Sequence, residues 1–199
     1  MFVKICGICS ERDALAAAER GADALGFIFW RGSKRFVDAA DVAAWTERLP
    51  AGILKAGVFV DAQPDEIAQT VRIAGLDVVQ LHGELECPAL DVKVWRVRYA
   101  DRPAETIPAK VDAYILDSYS ESSPGGTGLC GDWDAAAKFV QESRMPVILA
   151  GGLRPDNVAG AIAKVRPWGV DVSSGVESAP RIKDLKKIKE FIANAKRAG

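Results

Sequence analysis

Histidine is all but missing from this 199-residue chain, with His82 its single example, and cysteine is sparse at four. Cys6 and Cys9 form one C-x-x-C, while Cys87 and Cys130 stand apart. A zinc ribbon needs two such pairs, and His82 has no histidine partner, so no metal is expected. A secreted disulfide scaffold is smaller and richer in cysteine, which leaves reduced thiols in a cytoplasmic protein as the expectation. Charge of either sign is not in excess. Lys plus Arg is 26 and Asp plus Glu is 27, for a net charge of -1. The basic footprint of a nucleic-acid binder and the polybasic patch of a membrane-surface protein are therefore both missing. No run of about 18 apolar residues is available to span a bilayer. Glu11, Arg12 and Asp13 interrupt the opening stretch before a signal-peptide core forms.

What the chain does have is a full complement of core residues, 49% hydrophobic, and an ordinary 27% charged. Short β-rich runs alternate with helical patterns from end to end. Strands are predicted at Phe2–Cys6, Ala24–Phe29, Lys55–Val60, Asp77–Leu81, Val92–Val97, Ala113–Asp117, Pro146–Ala150 and Gly169–Ser173. Ser10 with Asp13 reads as a capping pair, and Pro64 and Pro155 read as first helical turns. Leu185, Ile188, Ile192 and Ala195 recur at helical spacing near the end. The segment from Val97 to Asp112 leaves room for a short helix at most. A phrase with aspartate recurs at the start of even strands, in Gly21–Ala24, Gly75–Val78, Val111–Ala113 and Gly169–Val172.

Eight units of about 25 residues, with no linker or low-complexity segment between them, predict an α/β fold. The expected form is a single (β/α)8 TIM barrel over residues 1–199. An open doubly wound sheet calls for Gly-x-Gly-x-x-Gly after the first strand, and Cys6-Gly7-Ile8-Cys9 is not that. Barrel active sites lie at the C-terminal ends of the strands. Those positions hold Cys6, Arg35, Asp61, His82, Arg98, Asp117, Gly151-Gly152 and Ser173-Ser174-Gly175. Alternation sets Lys4 with Cys6, and Ile115 with Asp117, on common strand faces. The glycine-rich loops after strands seven and eight suit a phosphate, because glycine lets backbone N–H groups approach oxygens closely. Tight βα turns are the other reading of the same loops. Cys6 also reads as a small buried hydrophobe, Asp117 as a strand-end acid bonding backbone, and His82 as a plug of the barrel mouth. Ser118–Pro124 with Gly125–Gly128 reads either as a lid or as a surface loop.

Taken in order, the motifs resemble those of phosphoribosylanthranilate isomerases. They are Lys4-Ile5-Cys6-Gly7-Ile8, Gly21–Phe27 with Ser33-Lys34-Arg35-Phe36, Gly57–Val60, and Val79–Gly83. Leu116-Asp117, Gly125–Gly128, Asp132-Trp133, Leu149–Leu153 and Val170–Glu177 follow, so the resemblance runs essentially the length of the chain. It implies a cofactor-free barrel that isomerises an aminoaldose phosphate to an aminoketose by an Amadori rearrangement in tryptophan biosynthesis. It makes Cys6 the general base and Asp117 the general acid, with Arg35 on the anthranilate carboxylate. His82, Gly126, Gly128, Gly151, Gly152, Ser173, Ser174 and Gly175 become substrate contacts, the last five at the phosphate. A thiolate base is expected to have cations nearby, Lys4 being one candidate, and the acid must hold its proton, as a partly desolvated carboxyl can. The implied partner is the small phosphorylated substrate, with the protein a cytoplasmic monomer or homodimer. Cys9 stands where the family commonly has threonine, and Leu129 and Cys130 follow the glycine loop where a polar or basic residue is expected. The rivals are a histidine-pathway sugar isomerase or a bifunctional relative acting on both substrates, which use two carboxylates, and a catalytically silent phosphate-binding barrel. A redox protein using Cys6 and Cys9 comes third.

Overall fold

The computed structural model describes residues 1–83, 87–100, 110–117 and 132–199. Eight parallel strands form its centre: β1 (Phe2–Cys6), β2 (Ala24–Ile28), β3 (Leu54–Val60), β4 (Val78–His82), β5 (Lys93–Tyr99), β6 (Ala113–Asp117), β7 (Val147–Ala150) and β8 (Gly169–Val172). They hydrogen-bond in chain order, and β8 returns to β1, so the sheet closes into a barrel. Helices α1 (Glu11–Glu19), α2 (Ala39–Thr46) and α3 (Pro64–Ala74) follow the first three strands. Helices α4 (Trp133–Glu142), α5 (Val158–Val165) and α6 (Leu185–Ala198) follow the last three. Among the described residues no α-helix joins β4 to β5, which departs from eight even units. Residues 101–109, where a short helix was the most expected, lie outside the described part. After β8 come a single 3-10 turn, Ser174–Val176, and a small hairpin of β9 (Glu177–Ala179) and β10 (Ile182–Lys183).

Local sequence explains most of these boundaries. Ser10 accepts the Asp13 N–H at 3.2 Å and caps α1. Pro64 sits in the first turn of α3, where its missing N–H costs nothing. Asp184 accepts from the N–H groups of Lys186 and Lys187, and α6 then buries Ile188, Phe191, Ile192 and Ala195 as one stripe. Pro155 is a correction. Helix α5 starts at Val158, three residues later than expected, because Asn157 takes the turn for itself. Its Oδ1 accepts the Arg154 N–H at 2.8 Å and its Nδ2 donates to the Gly152 carbonyl at 3.1 Å.

The aspartate phrase has a structural job at three of its four places. Asp23, Asp77 and Asp112 accept the N–H of Val3, Lys55 and Val94 at 2.7, 2.8 and 2.7 Å. Each thereby satisfies the N–H of the second residue of the preceding odd strand. The fourth match is out of step. Trp168 occupies the equivalent position before β8, with its N–H on the Val147 carbonyl at 2.9 Å. Asp171 lies inside β8 instead, beside Lys4 in register.

Two apolar clusters hold the barrel. One lies between strands and helices and includes Val3, Leu25, Phe27, Phe59, Leu81, Leu116 and Phe191. The other fills the interior with Ala24, Ala56, Val78, Trp95, Val97, Ile115 and Ile148. Phe2 closes the lower end, edge-on to Trp95 at 5.9 Å and stacked on Trp168 at 4.5 Å. Fully buried large side chains such as Trp95, Phe27 and Phe59 each contribute roughly 1.5–3 kcal/mol. The barrel interior is thus filled below and opens at the C-terminal ends of the strands.

Candidate active site

At the C-terminal ends of the strands the interior opens into a cavity of about 280 Å³. Cys6, His82, Asp117, Gly151, Gly152, Ser173, Ser174 and Gly175 all line it, as do Gln80 and Asp171. Strand alternation aims Cys6 from β1 and Asp117 from β6 into the same space, from walls separated by β7 and β8. A cavity of about 570 Å³ at the opposite end is lined by residues such as Met1, Ile162, Arg166 and Trp168, and contains none of the predicted site residues. Gly126 and Gly128, with the rest of 118–131, lie outside the described residues. Among the described residues no group of three or more His, Cys, Asp or Glu side chains is arranged to hold a metal.

The floor of the cavity is charged. Lys4 is fully buried and its Nζ lies 2.9 Å from Asp171 Oδ2. A Cβ placed on Gly26 would lie 2.6 Å from Cys6 Sγ and 3.1 Å from Lys4 Cε, so ammonium stem and thiol flank one small gap. Only a glycine opposite Cys6 in the β1–β2 register leaves that gap. Burial alone lowers the Lys4 pKa, but Asp171 and Cys6 outweigh it and hold the ammonium above the usual lysine value. The thiol behaves otherwise than expected. Burial pushes Cys6 up, Asp171 adds to the rise, and the cations Lys4 and Lys183 only partly offset it. The cation is where the sequence suggested, but the low-dielectric barrel outweighs it. His82 is pushed down to about 4 by burial and by Lys4, so its imidazole is neutral near pH 7.

The two glycine-rich loops meet beside this floor. Gly151 and Gly152 have φ of 91° and 63°, backbone that side chains with a Cβ rarely adopt. A Cβ on Gly175 would collide with the Leu153 carbonyl, so the turn after β8 lies directly against the loop after β7. Ser173 Oγ is buried there without a hydrogen-bond partner among the described residues. Arg35, in the loop after β2, stands beside these loops but is not among the residues that line the cavity. Its Nε and Nη2 donate to Glu177 Oε1 and Oε2 at 2.7 and 2.6 Å, a bidentate pair. Lys183 Nζ completes the group, 3.2 Å from Glu177 Oε1 and 3.0 Å from the Ser173 carbonyl. Cys9 is set apart from Cys6: its thiol donates to the carbonyls of Gly7 and Arg35 at 3.5 and 3.6 Å. Cys6, Cys9 and Cys87 are all free thiols.

Residues 3–194 match the family model described as N-(5'phosphoribosyl)anthranilate (PRA) isomerase. The chain belongs to the PRA isomerase family. A relative named N-(5'-phosphoribosyl)anthranilate isomerase, from Geobacter sp. (strain M21), is 48% identical over 202 residues, covering 98% of either chain. The crystal structure of the Thermotoga maritima phosphoribosyl anthranilate isomerase aligns with a TM-score of 0.85 at 35% identity, over 99% of both chains. A phosphoribosyl anthranilate isomerase in complex with reduced 1-(o-carboxyphenylamino)-1-deoxyribulose 5-phosphate aligns at 0.82 with 34% identity, again over 99% of both.

Sequence reasoning missed four polar residues in or beside this cavity. Asp171 carried a legible signal, an acid at the inward alternate position of a short apolar strand two residues before Ser173. Gln80 carried the same signal in β4. Glu177 and Lys183 carried none, because their partners lie in the β2 loop and in each other, and only the fold brings them together.

Proposed function

We propose that this chain converts N-(5'-phosphoribosyl)anthranilate to 1-(2-carboxyphenylamino)-1-deoxyribulose 5-phosphate, with Cys6 as general base and Asp117 as general acid. The observation that carries the reading is that both side chains line a single cavity from different walls, next to the two glycine-rich loops. Asp117 gives its proton to the furanose ring oxygen as the C1–O bond breaks and the anilino nitrogen closes a C1=N bond. Cys6 takes the C2 proton, and those electrons form the enolamine, which tautomerises to the ketone with a proton returned to C1. Acid and base from separate strands suit a reaction whose two proton transfers occur at different sugar atoms.

The remaining residues bind and orient. Backbone N–H groups of Gly151, Gly152, Ser173, Ser174 and Gly175 hold the phosphate, supported by the close seating of the two loops. Arg35 faces the anthranilate carboxylate. His82, neutral near pH 7, serves as a hydrogen-bonding wall group rather than a charge. Lys4 stabilises the thiolate once the substrate displaces water, and Asp171 keeps that ammonium protonated and aimed. The chain acts as one catalytic domain over residues 1–199, in the cytoplasm, as a monomer or homodimer. No helix among the described residues is long and apolar enough to cross a membrane.

The test is a fluorescence assay on purified protein with no added metal, generating phosphoribosylanthranilate in situ and following its isomerisation. Conversion well above the spontaneous rate is expected. Absence of conversion with the phosphate sugar still bound overturns the assignment in favour of a silent barrel.

A further inference from the structure

We infer that the β9–β10 hairpin is a positioning device that fixes how Arg35 presents itself to the substrate's carboxylate, with Glu177 and Arg181 as its two grips. The inference rests on the reading that Arg35 meets that carboxylate. Arg35 stands in an irregular loop, and a long side chain there has several rotamers to choose among. The hairpin removes that choice twice over. Arg181 Nη1 donates to the carbonyls of both Lys34 and Phe36, each at 2.9 Å, so it clasps the backbone on either side of Arg35. Glu177 then takes the guanidinium itself through Nε and Nη2.

The clasp is anchored, and it leaves one edge of the guanidinium outside the Glu177 pair. Lys183 is fully buried, with its N–H on Asp13 Oδ2 at 3.0 Å and its Nζ on Glu177 and the Ser173 carbonyl. The hairpin is thereby tied to α1 at one end and to the turn after β8 at the other. A guanidinium has two edges that fit a carboxylate, Nε/Nη2 and Nη1/Nη2. Glu177 occupies the first and so orients the second away from itself. A Cβ on Gly7 would lie 2.6 Å from Arg35 Cδ and 2.8 Å from Ser173 Oγ, so the arginine stem crosses directly over the residue after Cys6. One carboxylate between Arg35 and Lys183 leaves the trio with net positive charge, which still attracts an anionic ligand. Arg181 holds φ of 74°, a left-handed conformation that an arginine rarely adopts, at the turn that delivers its side chain to the clasp.

Calorimetric titration separates the inference from the reading beneath it. Two ligands are used, reduced 1-(o-carboxyphenylamino)-1-deoxyribulose 5-phosphate and its phenylamino counterpart without the carboxyl group. Arg35→Ala should weaken the first roughly tenfold or more and leave the second nearly unchanged. Glu177→Gln and Arg181→Ala should each weaken the first several-fold, spare the second, and add nothing in the Arg35→Ala background. In turnover they should raise KM with little change in kcat. If Arg35→Ala does not discriminate the ligands, the carboxylate reading falls and the inference with it. If Arg35→Ala does discriminate but the hairpin variants leave binding unchanged, tighten it, or weaken both ligands alike, the inference alone is overturned. Arg181 is exposed, so its variant decides the matter even if Glu177→Gln does not fold.

Discussion

His82 gives a quantitative handle on the electrostatics of the site. Its pKa is pushed from the ordinary 6.5 to about 4 by burial and by the Lys4 ammonium. A group whose folded pKa is depressed is protonated first in the unfolded chain, so falling pH favours unfolding. The effect begins near the unfolded value of 6.5 and saturates below the folded value near 4. Linkage over that shift costs the folded state about 2 kcal/mol by pH 5 and about 3 kcal/mol by pH 4. Replacing His82 by glutamine, which cannot titrate, removes this one contribution and leaves every carboxylate in place. Urea denaturation of native protein and His82→Gln at pH 7.5 and pH 5 should therefore show their stability difference moving by about 2 kcal/mol in favour of the variant. Equal losses in the two proteins between those pH values refute the reasoning, because they mean the imidazole titrates alike in folded and unfolded chains. The same neutral imidazole predicts that kcat/KM shows no inflection near pH 6.5 that His82→Gln abolishes.

Burial of Cys6 makes the thiolate the minor form in the free enzyme, so alkylation of Cys6 by iodoacetamide, followed on its own peptide by mass spectrometry, should keep accelerating from pH 7 to beyond 9. An alkylation rate already level at pH 7 means that burial does not hold the thiol protonated. Gly175→Ala should cost about 1–3 kcal/mol of stability and weaken phosphate-sugar binding, since the added methyl runs into the Leu153 carbonyl. Unchanged affinity for the reduced product means the two loops do not form the phosphate cradle. Asp77→Ala removes the acceptor of the Lys55 N–H and should lower stability by about 1–2 kcal/mol without altering turnover, as read by denaturation beside the assay. A large loss of activity there means the strand starts are coupled to the site.

Periodicity was enough for the barrel because each strand and most helices carry their own local signal. Ala113–Asp117 is bounded identically in sequence and structure, and Ser10 and Pro64 mark helix starts by side-chain chemistry that needs no tertiary partner. Pro155 misled because Asn157 offers the backbone a competing turn, a choice local patterns do not decide. The recurring aspartates were visible as a phrase, but their function was not, since each acceptor meets a donor about 20 residues away. Within the site, Cys6, His82 and Asp117 were legible because strand ends of a barrel converge by construction. The Arg35–Glu177–Lys183 group was not, because its members are up to 148 residues apart and no periodicity links them. The raised thiol pKa was beyond the sequence as well. It depends on how deeply the barrel buries Cys6, which outweighs the cation two residues away.

The central claim is a division of labour in which Cys6 and Asp117 move protons while other groups hold the substrate. It is tested most directly by measuring turnover and reduced-product affinity together in Cys6→Ala and Asp117→Asn. The account predicts that both variants lose nearly all isomerase activity, by about 100-fold or more, yet bind the reduced product within a few-fold of the native protein. Substantial turnover in either variant, or a loss of activity matched by an equal loss of affinity, contradicts it.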